Sequence, residues 1–255
     1  MTATHDLRAL AAASLVGAWR AYATRADGAA MHELPGASAA VFPHGAAREI
    51  FNNALLSRGV ADVDATLAAL RRLDGEAGVG GFALWVDAAD ERALATGAAA
   101  GWRQEEATCS MAMRLPAEGL DAAAGAGEAD GAGVEPLAEP AEAMVLNGAV
   151  PELLSDWPAD ARGYVARGED GRALSTALAL RIGDDCHVAF VATDPAARRR
   201  GLAGRVLARL LADAAADGCT TASLNATEIA ESLYARAGFV ALGRIVELVP
   251  PEGWQ

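Results

Sequence analysis

The stretch "VATDPAARRRGLAGRVLARLL", Val191 to Leu211, places three consecutive arginines against a glycine and then opens a helix-like run. Before it lies "CHVAFVATD", a continuous apolar segment of the kind that forms a strand buried on both faces. Pro195 turns the chain, and from Leu202 to about Ala216 the apolar residues Leu202, Val206, Leu210 and Ala214 recur on one helical stripe, with Gly218 as a C-cap. Strand, glycine turn and helix in that order place unpaired backbone N–H groups and the positive end of a helix dipole at one spot, which is how proteins hold phosphate. Gly201, Ala203 and Gly204 leave the backbone bare, and Arg198, Arg199 and Arg200 supply positive charge at the rim. A pyrophosphate-bearing ligand is the expectation.

That charge is local in an acidic chain. The 255 residues carry a formal net charge of −13, which disfavours general nucleic-acid binding because the far field repels a polyanion. All of the basic residues are arginine, so neither a P-loop lysine nor a Schiff-base lysine exists, and no GK[ST] follows the glycines. Cys109, Cys186 and Cys219 form no CxxC and no even set, which argues against a disulfide framework and against a metal site. The apolar N-terminal run is broken by Arg8 and Arg20, and no stretch reaches the roughly 18 apolar residues of a membrane span. A cytoplasmic protein that binds neither membrane nor nucleic acid is expected, and a homodimer is compatible with the sequence.

Around the opening stretch the pattern is α/β. In the N-terminal half a helix is expected near residues 6 to 25, with strands at "MHELPG" and "SAAVFP". A helix at "DVDATLAALRRLDGE" follows, capped by Asp62 or Asp64, then a strand at "GFALWVDA", a helix at "ADERALATGAAAG" and a strand at "EATCSMAMRL". The Ala-, Gly- and Asp/Glu-rich segment from 115 to 136 reads as a connection, which sets domains at 1–116 and 134–255 with a linker at 117–133. Past it come helices over 140–156, strands at "RGYVARG" and "RALSTALALRIG", the opening stretch itself, a strand "TTASLNA", a helix "EIAESLYARAG" and a closing strand "VALGRIVELV". The two halves rhyme: "AAAGWRQEEATCSMAMRLP" and "ARAGFVALGRIVELVP" each order a helix end, a Gly-aromatic pair, a strand and a proline, as a duplicated fold would.

Residues 187 to 239 resemble the GNAT superfamily of acyltransferases. "RRRGLA" is similar to the family's R-x-x-G-x-G/A signature, with Arg198, Gly201 and Ala203 at the marked positions, and "LYARAGF" is similar to its L-Y-x-x-x-G-F element. The resemblance implies two mixed, mostly antiparallel sheets flanked by helices, one per half, with the second splayed after the strand ending near Thr193 to admit acetyl-CoA. By that implication Val191, Ala192 and Thr193 line the pantetheine arm, and Arg199, Arg200, Gly201, Leu202, Ala203 and Gly204 wrap the pyrophosphate. Thr227 stands where members often carry asparagine, and a hydroxyl can serve the same arm. The N-terminal half has no such signature and resembles the degenerate partner of tandem members.

Acyl transfer to an amine needs a neutral nucleophile, stabilisation of developing oxyanion charge and a proton for the departing thiolate. Tyr234 stands where the family places its general acid. For the general base, the resemblance points to His187 on the cofactor strand, with Glu228 and Glu231 as further candidates. The resemblance thus implies an acetyl-CoA-dependent N-acyltransferase acting on a small-molecule amine or peptide by direct attack in a ternary complex. A non-catalytic acyl-CoA- or partner-binding module of the same fold is the alternative.

Overall fold

A computed structural model describes residues 3–43, 52–115, 133–149, 154 and 156–254. The expected linker at 117–133 lies, but for Gly133, outside the described residues, as do 150–153 and 155 of the expected 140–156 helical stretch.

The chain forms two compact units that interleave in sequence. The larger takes Met1–Ala18 and Ser110–Leu242, the smaller Trp19–Cys109 and Gly243–Gln255. This departs from a simple succession of halves. Two strands account for it: β5 (Arg103–Arg114) starts in the smaller unit and ends in the larger, while β11 (Val240–Val249) does the reverse. The long helix α1 (Ala3–Ala23) likewise contributes to both.

In the smaller unit β1 (Ala30–Leu34), β2 (Ala37–Val41), β3 (Asn53–Leu56), β4 (Ala83–Asp87) and β11 are neighbours in that order. β3 and β4 run parallel, and the other pairs are antiparallel, with Val246 opposite Val86. Helix α2 (Val63–Ala77) buries Leu67, Leu70 and Leu73 in one cluster with Leu84 of β4 and Phe82 just before it. Its cap is Asp62, whose Oδ1 accepts from the Ala65 N–H at 2.9 Å. α3 (Glu91–Ala99) is capped in the same way by Asp90, so of the two aspartates open at the start of α2 the chain uses the one at the N-cap position.

In the larger unit the order is β5, β10 (Thr221–Ala226), β9 (Asp185–Thr193), β8 (Ala173–Ile182), β7 (Ala161–Arg167) and β6 (Val134–Pro136). β6, β7, β8 and β9 form antiparallel pairs, and β9 and β10 are parallel. β6 was hidden from pattern reading because it is three residues long and contains Pro136, a residue that sheets tolerate at an edge. Short β3 also lacked a sequence signal. Helix α4 (Pro140–Leu146) precedes β7, and α5 (Leu202–Ala216) follows β9. The stripe Leu202, Val206, Leu210 and Ala214 is buried as expected, and the cap falls on Asp217 with Gly218 one place beyond, at φ 89°. The "EIAESLYARAG" helix is realised as a 3₁₀ turn (Glu228–Ala230) followed by α6 (Glu231–Arg236).

Candidate active site

Two parallel strands that separate partway along their length define the site. β9 and β10 pair only through Asp185–His187 against Thr221–Ser223, three residues short of the end of β10. The burial of β9 changes at the same place: Asp185 to Val188 are buried, whereas Ala189 to Thr193 are half-buried. This corrects the expectation of a strand covered throughout. The half of β9 that holds Val191, Ala192 and Thr193 faces an opening, and an apolar pattern alone cannot distinguish that from a protein-covered face.

On its other side β9 carries one extra residue. Its register with β8 runs Leu178↔Ala189 and then Thr176↔Ala192, so Phe190 and Val191 together face Ala177. Phe190 sits at φ 49°, left-handed backbone that a non-glycine residue adopts at a cost of about 1 kcal/mol or more. Its carbonyl accepts from Asn147 Nδ2 at 3.0 Å. Beyond the bulge Ser175 Oγ donates to the Ala192 carbonyl at 2.9 Å and lies 2.9 Å from Thr193 Oγ1, and the Asp194 N–H donates to the Leu174 carbonyl. Strand β9 is therefore fixed at the bulge and at its end.

The arginine-glycine turn follows directly. Asp194 caps a 3₁₀ turn (Pro195–Ala197) by accepting from the Ala196 N–H at 2.8 Å. Arg198 has φ −63°, Arg199 +65° and Gly201 +76°, and the segment from Arg198 to Gly201 is exposed. Backbone reversals of this kind present successive N–H groups on one concave side. Gly201 is the N-cap of α5, no acidic residue occupies the first turn, and the first i→i−4 bond is Arg205 N–H to Gly201 O. The N–H groups of Leu202, Ala203 and Gly204 thus have no partner from that helical ladder, and the first turn places no carboxylate of its own at the dipole's positive end. A Cβ at Gly201 would meet nothing within 4 Å, so its backbone is open to a ligand. At Gly204 a Cβ would lie 3.9 Å from Leu233 Cδ1, which puts the first turn of α5 beside α6. The left-handed Arg199 has no counterpart in the sequence reading, because arginine does not advertise that conformation.

α6 carries Tyr234, which is 6% exposed and stacks edge-on with Phe239, ring centroids 5.9 Å apart. Burial pushes its phenol up to about 12, so it holds its proton at neutral pH. Thr227, at the N-cap of the preceding 3₁₀ turn, is exposed, and its side chain makes no capping bond. Glu228 is exposed and Glu231 half-buried.

His187 stands apart from this opening. It lies on the paired half of β9, 4% exposed, with Nδ1 3.3 Å from Ser223 Oγ. Ser223 Oγ donates to Asp185 Oδ2 at 2.6 Å, and Thr221 Oγ1 donates to Asp185 Oδ1 at 2.7 Å. The Ser223 proton is committed to Asp185, so its oxygen receives the Nδ1 proton of a neutral imidazole. Burial lowers the His187 pKa to about 4, with the Asp185 charge opposing the shift. The four side chains tie the bases of β9 and β10 together just before the strands part.

Two surface cavities of about 450 and 330 Å³ are lined by the smaller unit's own residues, among them Asp64, Arg92 and Thr96 in one, Arg71, Trp102 and Trp254 in the other, and hold none of the residues above. Among the described residues no group of three or more His, Cys, Asp or Glu could hold a metal, and no helix is long and apolar enough to cross a membrane.

The mixed sheet parts beside a bulge and is followed by the left-handed turn at Arg199 and Gly201 and by the start of α5, the order that the resemblance to acyl-CoA-dependent acyltransferases implies. The acetyltransferase (GNAT) family model matches residues 135–239, the span that contains all of these features, and the chain carries an acetyltransferase domain of that family. Over 155 residues it is 27% identical to glucosamine 6-phosphate N-acetyltransferase 1 of Oryza sativa subsp. japonica, covering 51% of this chain and 94% of that protein. Among solved structures it is similar to a GCN5-related N-acetyltransferase from Kribbella flavida, with TM-score 0.65 and 19% identity, covering 95% of this chain and 96% of that one. It is also similar to a functionally unknown conserved protein from Staphylococcus epidermidis, with TM-score 0.61 and 10% identity, covering 88% and 94%. At those identities the two structures speak for the fold.

Proposed function

We propose that this enzyme transfers an acetyl group from acetyl-CoA to a primary amine by direct attack within a ternary complex. The parting of β9 from β10 after His187 and Ser223, followed along the chain by the left-handed turn at Arg199 and Gly201, is the observation that carries this reading. Acetyl-CoA supplies the activated thioester. Val191, Ala192 and Thr193 offer unpaired strand edge to its pantetheine arm, and Thr227 lies at the end of the facing strand. Arg199, Arg200, Gly201, Leu202, Ala203 and Gly204 hold the pyrophosphate through backbone N–H groups, with arginine charge at the rim.

Tyr234 acts as the general acid, its phenol kept protonated by burial, and passes its proton to the departing thiolate. His187 is left out as the base, since it is buried on the closed side of the strand pair and already disfavours protonation. The N-terminal half is read as a degenerate relative of the catalytic domain with no acyl-CoA site of its own. The rice relative's name makes an amino sugar phosphate the first acceptor to try. The test is a screen of amines, glucosamine 6-phosphate first, then other amino sugars, polyamines, amino acids and peptide N-termini, with acetyl-CoA and detection of free thiol. Amine-dependent thiol release supports the reading, and failure of the protein to bind acetyl-CoA overturns it. Binding without transfer to any amine favours the non-catalytic acyl-CoA-binding alternative.

A further inference from the structure

The two cavities of the smaller unit adjoin along α2 and α3, and Ala100 lines both. Helix α2 presents Asp64, Ala68 and Arg71 at helical spacing, a row about 10 Å long on one face. Helix α3 contributes Arg92, Ala95, Thr96 and Ala99. Its alanines leave open the space that larger side chains would fill. In the cavity of about 450 Å³, Asp64 and Arg92 are both exposed, and they do not pair with each other. Arg92 Nη2 donates to the Ala61 carbonyl, whereas among the described residues neither the Asp64 carboxylate nor the Thr96 hydroxyl has a hydrogen bond or ion pair. Opposite charges that line one cavity without meeting are complementary to a ligand that carries both signs.

The adjoining cavity, of about 330 Å³, is mainly apolar. Leu67, Trp102 and Trp254 line it, with the exposed Arg71 and Glu252 beside them. The two indoles meet edge to face, ring centroids 5.1 Å apart, and belong with Leu67 to the unit's core cluster. Such walls are rigid and take flat or bulky apolar groups. We infer that the smaller unit binds a free α-amino acid with an aromatic side chain: Asp64 accepts from its ammonium group, Arg92 and Thr96 donate to its carboxylate, and its side chain enters the cavity lined by Trp102 and Trp254. A peptide fits less well, because it would carry its two end charges apart, while Asp64 and Arg92 line the same cavity. The inference goes beyond the acyl-CoA reading and does not rest on it. Every residue it uses belongs to the smaller unit, and every residue given to acyl-CoA belongs to the larger.

The test is calorimetric titration of the full chain, without acetyl-CoA, using L-phenylalanine as the probe. Phenethylamine lacks the carboxylate and 3-phenylpropionate lacks the ammonium group, so each should bind at least about tenfold more weakly than L-phenylalanine, the loss of one charge-assisted contact. The variants then assign each charge to its partner. Arg92→Gln should weaken L-phenylalanine by about tenfold and leave phenethylamine unchanged, and Asp64→Asn should weaken L-phenylalanine similarly and leave 3-phenylpropionate unchanged. A merely structural role for either residue would not produce that crossed pattern. Ala95 is exposed on α3, so Ala95→Leu occupies the first cavity without touching the core and should abolish binding of all three compounds.

Absence of L-phenylalanine binding at millimolar concentration overturns the inference. So does binding that Ala95→Leu, Arg92→Gln and Asp64→Asn all leave unchanged, because the amino acid then sits elsewhere, as an acceptor at the acyl-CoA opening would. Equal affinity for phenethylamine and L-phenylalanine would show that the carboxylate is not read, which overturns it as well. None of these results touches the acyl-CoA reading, which the binding of acetyl-CoA tests separately.

Discussion

Acidification isolates the buried strand-base network, because His187 is neutral in the fold and its pKa is lowered by burial to about 4 from an ordinary value near 6.5. The unfolded chain therefore takes up a proton near pH 6.5 that the folded protein refuses until about pH 4. His187 costs nothing above pH 6.5. As pH falls through that value, folding stability declines by about a factor of ten in the equilibrium constant per pH unit, and the decline levels off below about pH 4. Across the window the loss attributable to this one residue is about 3 kcal/mol. Urea unfolding of wild type and His187→Gln at several pH values between 8 and 4.5 measures it. The variant's absolute stability matters less than its slope: the difference between the two proteins should be flat above pH 7 and should shift steadily in favour of the variant below about 6. Parallel curves throughout would show that His187 is solvated or already paired in its charged form, which would reopen the assignment of a proton-accepting role to it.

Three further outcomes test the site. Gly201→Glu places a carboxylate where the backbone is open and φ is 76°, so acetyl-CoA affinity should fall at least tenfold for a folding cost of about 1 kcal/mol, with calorimetry and a thermal melt as the two readouts. Tyr234→Phe keeps the edge-on contact with Phe239 and should lower kcat by roughly 10²- to 10⁴-fold with little change in acetyl-CoA affinity; near wild-type turnover with chemistry rate-limiting would remove the phenol from the mechanism. Titration of the whole chain should give one acetyl-CoA per chain, and two would show that the N-terminal half retains a site.

Much of this protein was legible because its signals are local. Asp62 caps α2 through the N–H three residues on, the Leu202–Ala214 stripe follows from helical periodicity, and Gly201 takes the left-handed φ that glycine allows. The pattern also carried the resemblance in "RRRGLA" and "LYARAGF", and with it the class of enzyme. Tertiary structure decided what depends on which strand meets which. The apolar run of β9 reads as uniformly buried, yet only its first half has a partner in β10, since pairing is a property of two segments. A one-residue register shift against β8 left no mark on composition, so neither the left-handed Phe190 nor the reach of Asn147 across 43 residues could be read from the chain. His187 was visible as a histidine on the right strand, but its burial with Asp185, Thr221 and Ser223 required the fold. The interleaving of the two units through β5 and β11 belongs to the same class: hydrogen bonds between distant strands set it, and local sequence has no access to them.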